Sequence, residues 1–257
     1  MFIRKNSLNI IYLIILVPII IFTVSTYTDY KEKSALTFSN TQTWDPELLE
    51  LSLHPLKIVH DAREHIVLKT PPTNTSRQTR NELEILKQHV AERTQEKINA
   101  IQNEISVKTL WFGEHAYSTL VDPNIYPHTS HLLNYSLTEI SILTLHFKEI
   151  FNRVRPHILD PELSTAIDVP NHPAYPSGHA TQSHFIALIL SDIDPSNRET
   201  YIEQAQEIAK NREVAGLHYP SDSEAGRDLA EQYFALLKET DWYQTNIEFA
   251  RSEWSNK

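Results

Sequence analysis

The chain has 257 residues and a formal net charge of -10, and it contains four glycines, fourteen prolines and no cysteine. A chain of this length forms one domain or two small ones, and it has too few turn-forming residues for a β-sandwich or barrel, so an all-α fold is predicted. The acidic balance, without a dense Lys/Arg block after residue 10, argues against a nucleic-acid partner. The lack of cysteine excludes disulfides, a thiolate nucleophile and Cys-ligated metals.

The amino terminus is strongly apolar. Arg4 and Lys5 precede an apolar run over residues 8–24, which as a helix would span about 25 Å. The basic flank predicts a cytoplasmic start, with the rest of the chain across the membrane. We favour an uncleaved signal anchor over a cleaved signal peptide for residues 1–25. The protein is then tethered to the membrane on its periplasmic or extracellular side, or secreted if the segment is cleaved.

The remaining residues divide into a tether and one helical domain. Residues 26–45 indicate a polar tether, and an all-helical catalytic domain is expected over 46–257. Periodicity of the apolar residues predicts helices over the following ranges: 46–69, 77–105, 135–154, 177–190, 197–215 and 223–239. A loop is predicted at 70–76 and irregular structure at 111–130. The near-heptad spacing in 77–105 fits core packing or a coiled-coil partner, so the oligomeric state stays open.

The first candidate motif lies in "FKEIFNRVRP". Lys148 and Arg155 are seven residues apart, which on one helix places them on the same face. Arg155 directly precedes Pro156, where a helix is expected to stop. Two cations on one face repel each other unless they are solvated or bind an anion. Taken alone, such a pair is more often an exposed charged surface than an anion site.

The second motif is "YPSGH". Ser177 precedes a predicted helix whose first-turn N–H groups have no internal partner and carry the positive end of the helix dipole. Gly178 lacks a Cβ and lets a ligand approach the backbone closely, and such a helix terminus binds phosphate-like anions. His179 could donate a proton to a leaving group. The alternative is a serine N-cap followed by an exposed histidine.

The third motif is "NREVAGLHYPSD". Arg212 lies near the end of one predicted helix, and His218 and Asp222 lie at the start of the next. A carboxylate four residues from an imidazole can accept its Nδ1–H, which leaves a lone pair on Nε2 and makes the histidine a nucleophile or a ligand for an electrophilic centre. The alternative is an ordinary surface contact between His218 and Asp222.

Together the three motifs supply what phosphoryl transfer through a covalent intermediate needs: cations and N–H groups for the equatorial oxygens, one oriented histidine and a second histidine that could donate a proton. The patterns K-x6-RP, PSGH and R-x5-H-x3-D, in this order, resemble the signature of the superfamily that joins type 2 phosphatidic acid phosphatases, bacterial acid phosphatases and vanadium haloperoxidases. The resemblance covers residues 148–222. It implies an all-α helical bundle of the acid phosphatase/vanadium haloperoxidase type, here with one N-terminal hydrophobic helix.

The resemblance also implies a role for each matching residue. Five residues would bind the phosphate oxygens: Lys148, Arg155, Ser177, Gly178 and Arg212. His218 would attack phosphorus, Asp222 would orient His218, and His179 would protonate the leaving oxygen. Asn211 stands where the family usually has serine, and we expect it to make a supporting hydrogen bond.

The sequence features do not all point to the same branch of the superfamily. The lipid phosphatases have several membrane helices, whereas this chain has at most one apolar run of that kind. Its length fits the soluble acid phosphatases. The chain resembles bromoperoxidases at His172, a position where they also carry histidine. It differs from them at Leu145, where they usually have tryptophan. A haloperoxidase would hold vanadate on the equivalent of His218.

We therefore expect a phosphatase that hydrolyses phosphomonoesters through a phosphohistidine, without metal or other cofactor. Its substrate would be a small-molecule or lipid phosphoester. The alternatives are a vanadate-dependent haloperoxidase, with His172 as an accessory residue, and a vestigial binding or scaffold protein that uses the 77–105 helix as its working surface.

Overall fold

A computed structural model describes residues 28–104 and 121–255, and these residues contain helices and no β-strand. The predicted all-α fold is confirmed. Residues 28–35 are helical, and a 3-10 turn covers Pro195–Asn197. The other helices are α1 (Phe38–Thr41), α2 (Pro46–Ser52), α3 (Ala62–His65), α4 (Arg77–Glu92), α5 (Gln95–Asn103), α6 (Pro127–Phe151), α7 (Pro156–Leu159), α8 (Gly178–Ile193), α9 (Arg198–Val214), α10 (Pro220–Lys238) and α11 (Asp241–Trp254).

Helix α8 lies at the centre of the bundle. It packs against α6, α9 and α10, and most of its side chains are buried because apolar residues occur on nearly every side of it. Phe185, Ile189 and Leu190 are each 0 % exposed and join the main hydrophobic core. This packing fixes the N-terminus of α8, where Gly178 begins the helix, at one end of the core.

The predicted helices from residue 135 onward are confirmed, with shifted bounds. Helix α6 begins at Pro127, which suits a first helical position. It ends at Phe151 because Asn152 adopts the left-handed conformation, with φ of 47°. Helix α11 was not among the predicted helices; Thr240 caps it by accepting a hydrogen bond from the Tyr243 amide at 3.1 Å.

The single helix predicted for 46–69 is wrong. Helix α2 stops at Ser52, and the chain then turns so that the backbone amides of Ile58 and Val59 donate to the carboxylate of Glu139, at 3.0 and 3.2 Å. A tertiary acceptor on α6 therefore replaces the intrahelical bonds that these amides would have made.

The single helix predicted for 77–105 is also wrong, because it is two helices. Arg93 has extended backbone angles, and Thr94 caps the second helix by accepting from the Lys97 amide at 3.2 Å. The Arg93 guanidinium donates to Ser164 Oγ at 2.8 Å and to the Val214 carbonyl at 3.3 Å. These contacts tie the break to the loop beside the candidate site.

The polar tether predicted for 26–45 is wrong for its second half. Phe38 is 0 % exposed, its amide donates to the Asn152 carbonyl at 2.9 Å, and its ring contacts Trp44 edge to face. An apolar ring buried in this way holds residues 37–45 to the domain.

The predicted signal anchor of residues 1–25 lies outside the described residues. Of the helices that the structure does describe, none is long and apolar enough to cross a membrane.

Candidate active site

Lys148 and Arg155 come from different elements. Lys148 lies in the last turn of α6, whereas Arg155 follows the break at Asn152 and is the N-cap residue of α7. The expectation of one shared helix face is therefore wrong, because α6 ends at Phe151, five residues before Pro156. Both cations are nevertheless buried beside the same cavity, at 1 % and 0 % exposure. Lys148 Nζ donates to the Pro173 carbonyl at 2.7 Å.

The Arg155 guanidinium connects the second and third motifs. Its Nη1 donates to the Leu217 carbonyl at 3.0 Å and lies 3.2 Å from His218 Nε2. Its Nη2 donates to the His172 carbonyl at 3.0 Å and lies 3.1 Å from His172 Nδ1. Since a guanidinium only donates, His218 Nε2 accepts from it, whereas His172 Nδ1 also lies 3.2 Å from the Pro173 carbonyl, to which it could donate instead. Arg155 thus fixes the proton-free nitrogen of His218 and contacts His172 through both its ring and its carbonyl.

The N-terminus of α8 faces the same cavity. Ser177 is the N-cap residue, but its side chain makes no capping hydrogen bond, and Oγ is buried without a partner among the described residues. A Cβ added to Gly178 would lie 3.9 Å from Thr144 Cγ2, an ordinary contact, so packing does not require glycine there. Gly178 and His179 line the cavity. The first turn of α8 is therefore open to a ligand rather than closed by its own serine.

Arg212 and Asn211 lie in the last turn of α9, and both are almost fully buried. The carboxylate of Glu104 accepts from Arg212 Nη2 and from the Asn211 side-chain amide. Burial raises the pKa of Glu104 even though the positive charge of Arg212 opposes that shift. Arg212 Nε and Nη1 have no partner among the described residues, so two buried donors are left for a ligand.

His218 is held by Asp222 four residues later, at the start of α10. Nδ1 lies 3.2 Å from Asp222 Oδ2, which also accepts from the Tyr219 amide at 3.0 Å. Because a carboxylate accepts, Nδ1 is the protonated nitrogen, and Nε2 carries the lone pair. His218 and Asp222 are 3 % and 0 % exposed, so this pair is no surface contact.

A third arginine at the site, Arg153, which the sequence motifs did not point to, binds the other oxygen of Asp222. Arg153 Nη1 donates to Asp222 Oδ1 at 2.6 Å, and its Nη2 lies 3.2 Å from Glu82 Oε2 on α4. Glu82 also accepts from the Ser221 hydroxyl at 3.0 Å. Burial alone would lower the pKa of Arg153, but Asp222, Tyr219 and Glu82 raise it. The available signal was "RVRP": in extended backbone, residues two apart lie on one side, and both arginines adjoin the His218–Asp222 pair.

Burial depresses the pKa values of the three histidines, of Lys148 and of Arg155 at the cavity, and neighbouring cations lower those of the histidines and Lys148 further. The pKa values of His218, His179 and His172 lie well below the ordinary value of 6.5, first because of burial and then because of the nearby Lys and Arg charges. Burial and Arg155 lower the pKa of Lys148, and burial lowers that of Arg155 to about 10. An anion would offset this crowding of positive charge.

The cavity has a volume of about 520 Å³ and is lined by His172, His179 and His218 together with Lys148 and Leu145. The predicted accessory residue His172 is thus at the site, and its ring lies 6.5 Å from that of Trp44. Leu145, only 8 % exposed, supplies an aliphatic wall. Within 28–104 and 121–255, no group of three or more His, Asp or Glu side chains is placed to hold a metal ion.

Buried donors that have no partner among the described residues, a helix N-terminus and an imidazole whose Nε2 carries the lone pair form an arrangement that could bind a tetrahedral oxyanion. A family description, "PAP2 superfamily", matches residues 129–245, which include all three motifs. This match confirms the superfamily resemblance inferred from the sequence.

The chain is also similar in sequence to curated acid phosphatases. The chain is 28 % identical over 142 residues to the non-specific acid phosphatase of Salmonella typhimurium, covering 53 % of this chain and 57 % of that protein. It is 31 % identical over 132 residues to the acid phosphatase of Zymomonas mobilis, covering 49 % and 50 %. The chain therefore spans about half the length of the curated relatives it matches.

The fold is similar to that of bacterial vanadium-dependent haloperoxidases. A chloroperoxidase in its holo form superposes with a TM-score of 0.64 at 14 % identity, covering 80 % of this chain and 56 % of that one. An iodoperoxidase superposes with a TM-score of 0.60 at 15 % identity, covering 80 % and 61 %. At these identities the likeness establishes the fold, which is the helical bundle expected from the motifs.

Proposed function

We propose that the chain is a phosphomonoester hydrolase of the acid phosphatase type. The observation that carries this proposal is a set of buried donors without partners among the described residues: Ser177 Oγ, in the residue whose amide donates to the Asp222 carbonyl, and the Nε and Nη1 atoms of Arg212. A phosphate group presents oxygens to several donors at once, and its negative charge would neutralise the buried cations. The acid phosphatases among the relatives support the same activity.

The reaction proceeds in two steps. Lys148, Arg155 and Arg212 hold the phosphate oxygens while His218 Nε2 attacks phosphorus and the bond to the alcohol oxygen breaks. His179 gives its proton to that oxygen. In the second step His179 takes a proton from water, the water oxygen attacks phosphorus, and the bond to Nε2 breaks, which releases phosphate and restores the histidine. Protein cations supply the positive charge, so the proposal includes independence from metal ions.

The haloperoxidase alternative is favoured by one observation, the contact of His172 with Arg155 inside the cavity. His172 is placed to act on a group bound near Arg155. Against this, position 145 carries leucine where bromoperoxidases usually have tryptophan, so an aliphatic side chain lines the cavity at this position. Vanadate adopts a five-coordinate geometry like the transition state of phosphoryl transfer, so both branches should bind it.

A turnover panel separates the two functions. We expect hydrolysis of several phosphomonoesters without vanadate, unaffected by a chelator, and competitive inhibition by orthovanadate. The vanadate-loaded protein should oxidise bromide at most weakly when peroxide is supplied. Strong bromination of a phenol dye together with negligible hydrolysis across the panel would instead establish the haloperoxidase.

The activity should be greatest in acid. The lowered pKa of His218 keeps its Nε2 free of a proton below pH 6.5, and the lowered pKa of His179 means that this acid loses its proton early as pH rises. We therefore expect kcat/KM for ethyl phosphate to peak below about pH 6.5 and to fall above it. Initial rates measured from about pH 4 to 9 test this; a maximum on the alkaline side would contradict the acid role of His179.

The proposal includes a location outside the cytoplasm. Residues 1–25 would tether the enzyme to the membrane, or would be cleaved off so that the enzyme is secreted. The support is the sequence itself, in which Arg4 and Lys5 precede the apolar run 8–24.

A further inference from the structure

The cavity extends well beyond the donors that would hold a phosphate group. Its volume of about 520 Å³ falls within the range of about 300–1,000 Å³ that is usual for small-molecule sites. Much of the lining consists of aliphatic side chains, which we call the apolar wall. They are Leu48, Leu51, Leu145, Ala166, Ile167 and Leu217. The space is thus large enough for the alcohol part of an ester, and its surroundings indicate what that alcohol is.

The apolar wall is built from four parts of the fold, of which α6 contributes Leu145 and the segment between α9 and α10 contributes Leu217. Leu48 and Leu51 come from α2, and Ala166 and Ile167 come from the loop between α7 and α8. These four side chains are only half-buried: Leu51 packs on the main core, and Ala166 and Ile167 pack on the cluster that contains Leu217. Their remaining apolar surface lines the cavity, where a ligand could remove it from water.

The charges and polar groups around the cavity point the same way. Among the described residues that line it, Lys148 is the only lysine or arginine, and Asp168 is exposed at its edge. A second phosphate group would find no further cation there and would be repelled by Asp168. The Gln182 side chain donates to Ser141 Oγ at 2.7 Å, and its Oε1 is buried without a partner among the described residues. This amide could satisfy one hydroxyl or amino group, but a polyol or a nucleobase carries several such groups and would lose the water on the others.

We infer that the site selects phosphomonoesters of alkyl or aryl alcohols over nucleotides, sugar phosphates and polyphosphates. This inference rests on the proposed phosphatase activity. The apolar wall contributes binding energy in proportion to the apolar area that the alcohol buries, while the phosphate contacts stay the same across substrates. Leu48 and Ile167 are then specificity-determining residues.

A series of unbranched alkyl phosphates, from ethyl to hexyl, tests the inference because the leaving oxygen is chemically alike throughout. We expect kcat/KM to rise with each added methylene, by about two- to four-fold. Glucose 6-phosphate and a nucleoside monophosphate should be poorer substrates than hexyl phosphate.

Two wall variants and one matched control locate the effect. Leu48→Gln and Ile167→Asn should each lower the hexyl-to-ethyl ratio of kcat/KM by about five-fold or more. Leu53→Gln makes the same change next to α2, at a side chain that is 67 % exposed and does not line the cavity, and it should keep the wild-type ratio. Thermal melting of each variant checks that it is folded, and the ratio is independent of the fraction of folded protein.

The outcomes separate this inference from the proposed function. If ethyl phosphate is hydrolysed by the wild type and not by His218→Ala, but kcat/KM stays flat along the series, the substrate inference is wrong and the phosphatase stands. A steep series whose ratio survives in both wall variants overturns the assignment of the wall. Failure of the wild type to hydrolyse any ester overturns the proposed function and this inference with it.

Discussion

His218→Ala should reduce the hydrolysis of every phosphomonoester by about 10⁴-fold or more, because the variant has no nucleophile at the phosphorus atom. In the wild type, a reaction quenched during turnover should contain a phosphoenzyme that is stable to base and labile to acid, as a phosphorus–nitrogen bond is. The variant should contain none. Intact-mass measurement after rapid quenching detects the added phosphoryl group directly.

His146→Ala is a matched control for this experiment. His146 lies on α6, two residues before Lys148; it is half-buried, and burial and Arg63 lower its pKa, but it does not line the cavity. This variant should keep turnover and the phosphoenzyme. A phosphoenzyme that forms in His218→Ala would assign the nucleophile to another residue, and normal hydrolysis in that variant would contradict covalent catalysis at His218.

The helices of the second half of the chain could be predicted because each carries its own local signals. Helix α10 has apolar residues at helical spacing and Pro220 at its first position, and α8 contains an apolar run that is buried on nearly every side. The errors lie where a distant residue decides the local structure. Glu139 takes the amides of Ile58 and Val59 out of the helix predicted for 46–69, and nothing near residue 58 encodes that carboxylate.

The candidate site divides in the same way. The motif residues were found because their spacing resembles a family signature, although the reasoning for Lys148 and Arg155 assumed one helix and the structure has two elements. Glu82, Arg153 and Glu104 lie outside the family signature, so the motif spacing could not identify them. Glu82 reaches Ser221 across 139 residues, and Glu104 reaches Arg212 across 108, so these partners follow from the packing of the helices.

His179→Ala should separate substrates by the basicity of the oxygen that leaves. Alkyl alcohols leave as poor anions and need a proton in the transition state, so kcat for ethyl phosphate should fall by about 10²- to 10⁴-fold. An activated aryl phosphate such as 4-nitrophenyl phosphate needs little protonation, so formation of the phosphoenzyme from it should be nearly as fast as in the wild type. A plot of log kcat/KM against the pKa of the leaving alcohol should therefore be steeper in the variant.

The same variant should affect the second step, in which His179 accepts a proton from the attacking water. With 4-nitrophenyl phosphate, the release of nitrophenol should then show a rapid burst followed by slow turnover, because the phosphoenzyme accumulates. His179→Gln keeps a polar side chain of similar reach at this position but no group that titrates near neutral pH, so it should behave as His179→Ala does. Equal losses for alkyl and aryl esters, with no burst, would show that His179 only binds phosphate, and the proton would then have to come from another group in the cavity, with His172 the next residue to replace.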